Sequence, residues 1–511
     1  MVGGWPLVLR ARLRVAAIAG CLLAEAGLIL LLARPGLVPA GTGLGTAKAQ
    51  PIELVAVAWV VFGCAAWLAR GAGVRPVVWL ILAGSIVMQV AALMGPPSNS
   101  SDSYRYIWDG RVQAAGIDPY QYAPGDARLA PLRNGFLWSA GTGAQPGHPY
   151  CVTAAADAPA ADATAPADSL VSGCTKINRP TVPTIYPPVA EAYFTVVHLA
   201  APADDSTTPV QAAAGGASVL TTALLLAGLR RQGRNPRLAA LWAWCPTVAL
   251  ESGQNGHVDV VGVALAAAAL MLLASVPAGK QAGKQARKRR FLGGALLGLA
   301  IATKITPVLV VPGVLRRGWL SISSAAAGAI AIVYLPHVIA AGSKIIGFLP
   351  GYLHEEGYSR GNGFGIIGLF AGGRAATVVA VVILGAVALA IIRFGDPARP
   401  WRGGVLMTSA ALAVTTPEYQ WYAIGLVMLV ALDGRPEWLA IAAGGYLSNH
   451  NPHLPVFGLT LPDPRLAGYG GGAAIAAALA LIRLARSRRS LPPDAADRAA
   501  SDASDKLLTT P

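Results

Sequence analysis

The sequence predicts an all-α polytopic membrane protein, and three observations predict it. Of 511 residues 54% are hydrophobic and only 13% charged, with a mean hydropathy of +0.52, whereas a soluble domain carries about 25% charged residues. Apolar runs recur about fourteen times along the chain, each a candidate helix in or across a bilayer. The basic residues gather at alternate junctions between those runs, as topology signals do. A net charge of +15 therefore marks orientation, and its scatter in short clusters argues against nucleic-acid binding.

Residues 1–94 hold the first three runs, at 15–33, 52–69 and 76–94. If successive runs alternate in direction, the clusters Arg10/Arg12/Arg14, Arg70/Arg75, Arg230/Arg231/Arg234/Arg237, Lys280 to Arg290, Arg316/Arg317, Arg393/Arg399/Arg402, Arg435 and Arg483/Arg486/Arg488/Arg489 share one side. They hold 25 of the 40 Lys and Arg, so that side is expected to be cytoplasmic, with both termini. Cys21, Cys64 and Cys245 fall in apolar runs and read as small buried hydrophobes.

The same parity places residues 95–208 outside the cell as one large loop with six basic and ten acidic residues. It opens on SDSYRYIWDGRVQAAGIDPYQY (Ser101 to Tyr122), which packs charge and aromatics directly behind an apolar run, where lipid-facing sequence could not hold them. Its Ala/Asp/Pro/Thr-rich middle, 152–170, has too little apolar bulk to fold alone and is predicted to be mobile. Cys151 and Cys174 flank that stretch on the oxidising side and are predicted to pair.

Residues 209–489 carry the remaining runs, at 209–229, 238–250, 259–276, 291–303, 306–315, 318–340, 375–392, 403–416, 420–432, 436–447 and 466–482. Several are too short to cross alone. Residues 238–250 make about 20 Å of helix against a hydrocarbon core of about 30 Å, and ESGQNGHVD (Glu251 to Asp259) then turns the chain back toward a basic cluster. Residues 291–315 are basic at both ends, so a single helix would break the parity; two short helices meeting near Lys304 keep it. TTPEYQWY (Thr415 to Tyr422) and SNHNPH (Ser448 to His453) make two further apices. Together the four predict a polar cavity facing outward beneath the large loop. Residues 490–511 read as a disordered cytoplasmic tail.

Each polar residue in this pattern has a plain and a chemical reading. Asp102 is either a helix-capping carboxylate or a general base for a hydroxyl. Asp109, Arg105 and Arg111 at helical spacing favour an ion-pair network. Lys304, an isolated ammonium in apolar sequence beside Pro307, favours a broken helix with a phosphate partner over snorkelling. His257 and Asp259 are too few for a zinc site, which leaves hydrogen bonding within the apex or contact with phosphate or sugar. Glu418, Gln420, Trp421 and Tyr422 are an interfacial belt or a sugar-binding set. His354, Glu355 and Glu356 read as solvated. No Walker motif, dinucleotide fingerprint or HExxH helix is present, which argues against an ATP-driven pump, a soluble-cofactor enzyme and a zinc protease.

The segments DSYRYIWDGRVQAAGIDPYQYAP (Asp102 to Pro124), INRPTVPTIYPPVAEAYF (Ile177 to Phe194), NGHVD (Asn255 to Asp259) and ATKITPVLVVP (Ala302 to Pro312) resemble the GT-C superfamily of membrane glycosyltransferases, and within it bacterial polyprenyl-phosphate-sugar transferases such as actinobacterial mannosyltransferases. The resemblance spans about residues 76–450. Three runs precede the outer loop where the simplest GT-C pattern has one, and a single Asp stands where that pattern has an acidic pair. The resemblance implies an inverting transfer of a sugar, mannose by that pattern with glucose, arabinose and others open, from a polyprenyl-phosphate donor to a hydroxyl of an envelope glycolipid or glycan at the outer face. Asp102 would be the base. Lys304, helped by Arg105, Lys176, Arg179 or His257, would hold the donor phosphate; Asp109, Asp259, Glu418, Gln420 and Tyr422 are candidates for sugar and acceptor. No cofactor or metal is implied, because cations can clamp a phosphate that already carries charge, and no DxD pair is present. A transporter or flippase of lipid-linked sugars, or a noncatalytic scaffold for envelope assembly, remain alternatives; the large outer loop favours the enzyme.

Overall fold

A computed structural model describes residues 5–34, 37, 52–139, 150–151, 174–276, 283–316, 318–448, 450 and 456–489. The predicted tail at 490–511 and the stretch 152–170 lie outside these residues, as do Lys280, Arg317 and part of the Ser448 to His453 apex.

The chain is an all-α polytopic membrane protein. Its helices run α1 (Trp5–Ala33), α2 (Ile52–Arg70), α3 (Val74–Leu93), α4 (Asp102–Ala114), α5 (Pro188–Ala200), α6 (Thr208–Arg231), α7 (Ala240–Ala243), α8 (Pro246–Val248), α9 (Asp259–Ala274), α10 (Lys284–Ile301), α11 (Val311–Val314), α12 (Trp319–Ala341), α13 (Leu349–Glu355), α14 (Gly373–Phe394), α15 (Pro400–Thr415), α16 (Ile424–Asp433), α17 (Leu439–Gly444) and α18 (Gly471–Arg489). Seven helical stretches among the described residues are long and apolar enough to cross a bilayer. Their outward faces carry large apolar side chains such as Leu23, Trp67, Trp79, Ile332 and Val381, the arrangement suited to lipid.

The basic clusters gather at one end of the bundle. Arg14 donates to the Gly71 carbonyl, Arg237 to that of Arg70, Arg234 to that of Asp433 and Arg316 to that of Gly395, while Arg402 lies 3.4 Å from Asp433. At the opposite end Gln254 donates to the Leu32 carbonyl and to Ser98, and Gln211 to that of Gly95. These contacts run α1, α2 and α3 in alternating directions and set the start of α6 beside the end of α3.

The short segments lie inside the bundle. From α7 through α8 the chain passes into a π-helical stretch, Ala249–Gln254, with Trp242 and Trp244 fully buried; helix-breaking geometry is tolerated there because protein rather than lipid surrounds it. Residues 291–315 break as the parity argument predicts: α10 ends at Ile301 and a 3₁₀ turn at Thr306–Val310 leads into α11. The α10 contact with α12 depends on two glycines four apart. A Cβ on Gly294 or Gly298 would lie 2.4 Å from the carbonyl oxygen of Ile322 or Ala326, the close backbone approach of a small-xxx-small interface.

The flanks of the outer loop fold over the bundle. There α4 and α5 share an apolar core, with Tyr106 stacked on Phe194 at 4.3 Å. Beside it sits a small antiparallel sheet of two-residue strands, β1 (Trp138–Ser139), β2 (Tyr150–Cys151) and β3 (Cys174–Thr175), in the order β1-β3-β2. Its register sets Cys151 opposite Cys174, though the side chains of the expected disulfide lie outside the described residues. The other cysteines differ from one another: Cys245 is buried, Cys21 half-buried and Cys64 exposed on the outer face of α2. The expectation of three buried thiols is thus met only by Cys245, since α2 turns Cys64 outward.

Candidate active site

Asp102 is the first residue of α4, where the helix dipole favours a carboxylate. Its backbone N–H is held by the Ser100 hydroxyl at 3.1 Å. The next residue ties this helix start to the Glu251 to Asp259 apex: Ser103 Oγ donates to the Asn255 carbonyl at 2.6 Å. Gly256, at φ +71°, makes the turn possible, since a Cβ there would meet Ser103 Oγ at 2.8 Å.

Around the Asp102 carboxylate, 13% exposed, four elements converge. Asn178 Nδ2 donates to Oδ1 at 2.7 Å. His257 Nδ1 lies 3.8 Å from Oδ2, and His257 Nε2 lies 3.4 Å from Glu251 Oε2. Burial alone would raise the Asp102 pKa, but the charges of His257 and Lys304, the Asn178 bond and Arg179 outweigh it and hold the carboxyl below its ordinary value. Asp102 is therefore an ionised carboxylate at neutral pH, the form a base requires.

Lys304 stands at the break after α10, as its sequence context suggests. Its Nζ lies 3.2 Å from Asp259 Oδ2 at the start of α9 and near the rings of Tyr186, at 5.1 Å, and Tyr422, at 5.9 Å. Arg179, held in a left-handed conformation at φ +47°, pairs with Glu355 at 2.8 Å. The reading of Glu355 as merely solvated is thereby corrected: the loop carrying it docks on the outer loop, where Phe348 N also donates to the Thr184 carbonyl.

Other candidates stand elsewhere. Arg105 Nε donates to both carboxylate oxygens of Asp109 at 3.0 Å, and its remaining donors go to the carbonyls of Arg179 and Val182. Both side chains are buried, so neither a phosphate role for Arg105 nor a sugar role for Asp109 fits this geometry, because helical spacing at i, i+4 turns the two onto each other. Lys176 lies over Phe136 at 4.2 Å and is brought no closer to Asp102 by any of these contacts. His257 is fully buried, which leaves it no face for a phosphate. Asp259 is almost fully buried and engaged by Lys304, a support for the lysine rather than a sugar ligand.

Gln420 is buried and donates to Glu251 at 3.2 Å, with Tyr446 donating to the same oxygen at 3.0 Å. Glu418 pairs with Arg465 at 2.8 Å, and Tyr422 shares a hydrogen bond with Tyr352. Trp421 lies between the rings of His257, at 4.2 Å, and Tyr419, at 4.4 Å. Sequence reasoning missed Asn178, Glu251 and Tyr419 as members of this group. The signal for Glu251 was present: an acid immediately after a buried apolar run demands a partner. No group of three or more His, Cys, Asp or Glu able to hold a metal ion occurs among the described residues.

Residues 184–417 match the profile of glycosyltransferase family 87. Over that stretch the chain is similar to this family of glycosyltransferases. The matched stretch is somewhat under half of the chain. It contains Glu251, His257, Asp259 and Lys304, while Asp102 and Asn178 precede it. Among solved structures the chain is similar to the oligosaccharyltransferase of Archaeoglobus fulgidus in its complex with zinc and sulfate (13% identity, TM-score 0.35, 78% of this chain and 53% of that one). It is also similar to the same enzyme tethered to an acceptor peptide (11%, 0.38, 78% and 55%) and with an inhibitory peptide and a dolichol-phosphate (12%, 0.35, 81% and 58%). The chain thus spans about half the length of that protein. No curated protein matches it.

Proposed function

We propose that this chain is a membrane glycosyltransferase that moves a hexose, mannose in the pattern its sequence resembles, from a polyprenyl-phosphate donor to a hydroxyl of an envelope glycolipid or glycan. The transfer takes place at the extracytoplasmic face. One observation carries the proposal: an ionised Asp102 stands at a helix start beside the cations Lys304 and Arg179, at the end of the bundle opposite the basic clusters. That end is extracytoplasmic if the basic end faces the cytoplasm.

The acceptor hydroxyl attacks the anomeric carbon as its proton passes to the Asp102 carboxylate. The bond from the anomeric carbon to phosphate oxygen breaks, and its electron pair leaves with polyprenyl phosphate, which gains one negative charge. Lys304 and Arg179 stabilise that charge. Attack opposite the leaving group inverts the anomeric centre.

An enzyme accounts for this arrangement better than a transporter or scaffold does, because the folded outer loop supplies both the base and its Asn178 partner. Transfer of radiolabelled mannose from purified polyprenyl-phosphate mannose, in detergent and with a glycolipid acceptor, tests it. A new glycosidic product is expected; no product with any lipid-linked hexose would sink the proposal, since a transporter or scaffold forms no such bond.

A further inference from the structure

His257 faces two carboxylates. Its Nδ1 lies 3.8 Å from Asp102 Oδ2 and its Nε2 lies 3.4 Å from Glu251 Oε2; it is fully buried, these are ion-pair rather than hydrogen-bond contacts, and neither nitrogen has a hydrogen-bond partner. A neutral imidazole has one N–H and one lone pair, so it can serve only one of two anions and must aim its lone pair at the other. An imidazolium, with two N–H groups, can face both. Trp421 stacks on the ring at 4.2 Å and 28°, which limits its rotation between the two carboxylates.

Glu251 is equally constrained. Its Oε1 accepts from Gln420 and Tyr446, and its Oε2 from Asn255 Nδ2 at 3.3 Å. Three neutral donors and no cation other than His257 meet a fully buried acid, a setting in which a carboxylate needs a positive partner. The other charges near Asp102 are Lys304, itself paired with Asp259, and Arg179, itself paired with Glu355. The phenols of Tyr106, Tyr186 and Tyr419 lie within its field as well. Both cations already have anions and are partly exposed, Lys304 at 15% and Arg179 at 33%, so a donor phosphate can compete for them. His257 alone is shielded from that competition.

Resting on the proposed transfer reaction, we infer that His257 is a positioning residue: its imidazolium, backed by Glu251, holds Asp102 in its anionic form and in orientation while the donor phosphate draws on Lys304 and Arg179. Glu251, His257 and Asp102 form a buried row that carries one net negative charge, delivered to the oxygen that receives the acceptor's proton. This differs from a phosphate-binding histidine, which would act on the donor directly.

The test compares pH profiles of mannose transfer for the full chain in lipid nanodiscs, as wild type, His257→Gln and Glu251→Gln. Removing His257 leaves the burial of Asp102 less opposed, so the acid limb of kcat is expected to move up by about one pH unit or more, with recovery of rate at higher pH. The KM for donor stays within about twofold, as expected when binding of the donor is left intact. Glu251→Gln keeps its shape, is expected to move the limb in the same direction, and carries the test if His257→Gln does not fold. A limb that stays in place while KM for donor rises overturns the inference in favour of phosphate binding; a loss that no pH restores overturns it too.

A second readout needs no turnover. Carbodiimide coupling to Asp102, followed against pH by peptide mass spectrometry, reports its protonation directly, and its midpoint is expected to rise in both variants. If wild type transfers no sugar but the midpoint moves, the transfer reading fails and the role of His257 stands. An unmoved midpoint in both variants overturns the inference even if transfer is observed.

Discussion

Asn178 Nδ2 donates to Asp102 Oδ1 at 2.7 Å across 76 residues of sequence, joining the strand-and-turn segment after β3 to the start of α4. This bond fixes which carboxylate oxygen remains open. Asn178→Ala is expected to lower kcat by about tenfold, the size of effect expected from losing one hydrogen bond of about 1.5 kcal/mol to a charged group, with thermal stability little changed. A wild-type rate in Asn178→Ala would remove the orienting role.

In the proposed transfer, Lys304 stabilises the leaving group. Lys304→Met should lower turnover by about 100-fold or more, as the loss of one preorganised charge contact does, with a smaller effect on acceptor KM. Asp259→Asn frees Lys304 from the carboxylate it pairs with at 3.2 Å, so tighter donor binding with slower product release is the expected outcome. An unchanged rate in Lys304→Met would return that residue to a structural role.

Because Lys304 and Arg179 supply the positive charge, transfer should resist EDTA. Complete loss with chelator, restored by a divalent cation, would contradict the metal-free reaction.

Arg105 and Asp109 are expected to act on stability instead. Both are nearly inaccessible, and breaking a buried ion pair from one side costs about 3–5 kcal/mol. Arg105→Ala should therefore lower the thermal midpoint sharply, and the molecules that remain folded should keep near wild-type KM for donor. A large rise in KM with no loss of stability would place Arg105 back among the phosphate contacts.

The α10–α12 interface offers a test of the fold away from the site. Gly298→Leu forces a side chain against the Ala326 carbonyl, 2.4 Å from the position of its Cβ. Overpacking of this kind costs about 1–3 kcal/mol, so a lower melting temperature in detergent is the expected result. A melting temperature equal to wild type would mean the helices are further apart than described.

Much of the fold was legible in the sequence because membranes enforce simple rules. Apolar runs and alternating basic clusters were enough to break the 291–315 segment at Lys304 and to bring four polar apices to one end. The site was legible only in part. Asp102 and Lys304 stood out as charges in apolar context, whereas the pairing of Arg105 with Asp109 rather than with a ligand depends on which way α4 faces once it packs against α5, through Tyr106 and Phe194. Asn178 and Glu251 come near Asp102 only through the loop's return and the π-helical stretch, and neither path follows from hydropathy. The register that sets Cys151 opposite Cys174 is compatible with a disulfide, since paired antiparallel strands hold Cα atoms about 4.5–5.5 Å apart; the bridge remains a proposal.

Replacing Asp102 asks whether it is the base of a sugar transfer. Purified wild type and Asp102→Asn are given radiolabelled polyprenyl-phosphate mannose and a glycolipid acceptor in detergent, and glycosylated product is counted. Product is expected from wild type, and about 100-fold less or lower from Asp102→Asn, the contribution of a positioned general base, with both proteins equally folded. Transfer by Asp102→Asn at a near wild-type rate would contradict that role.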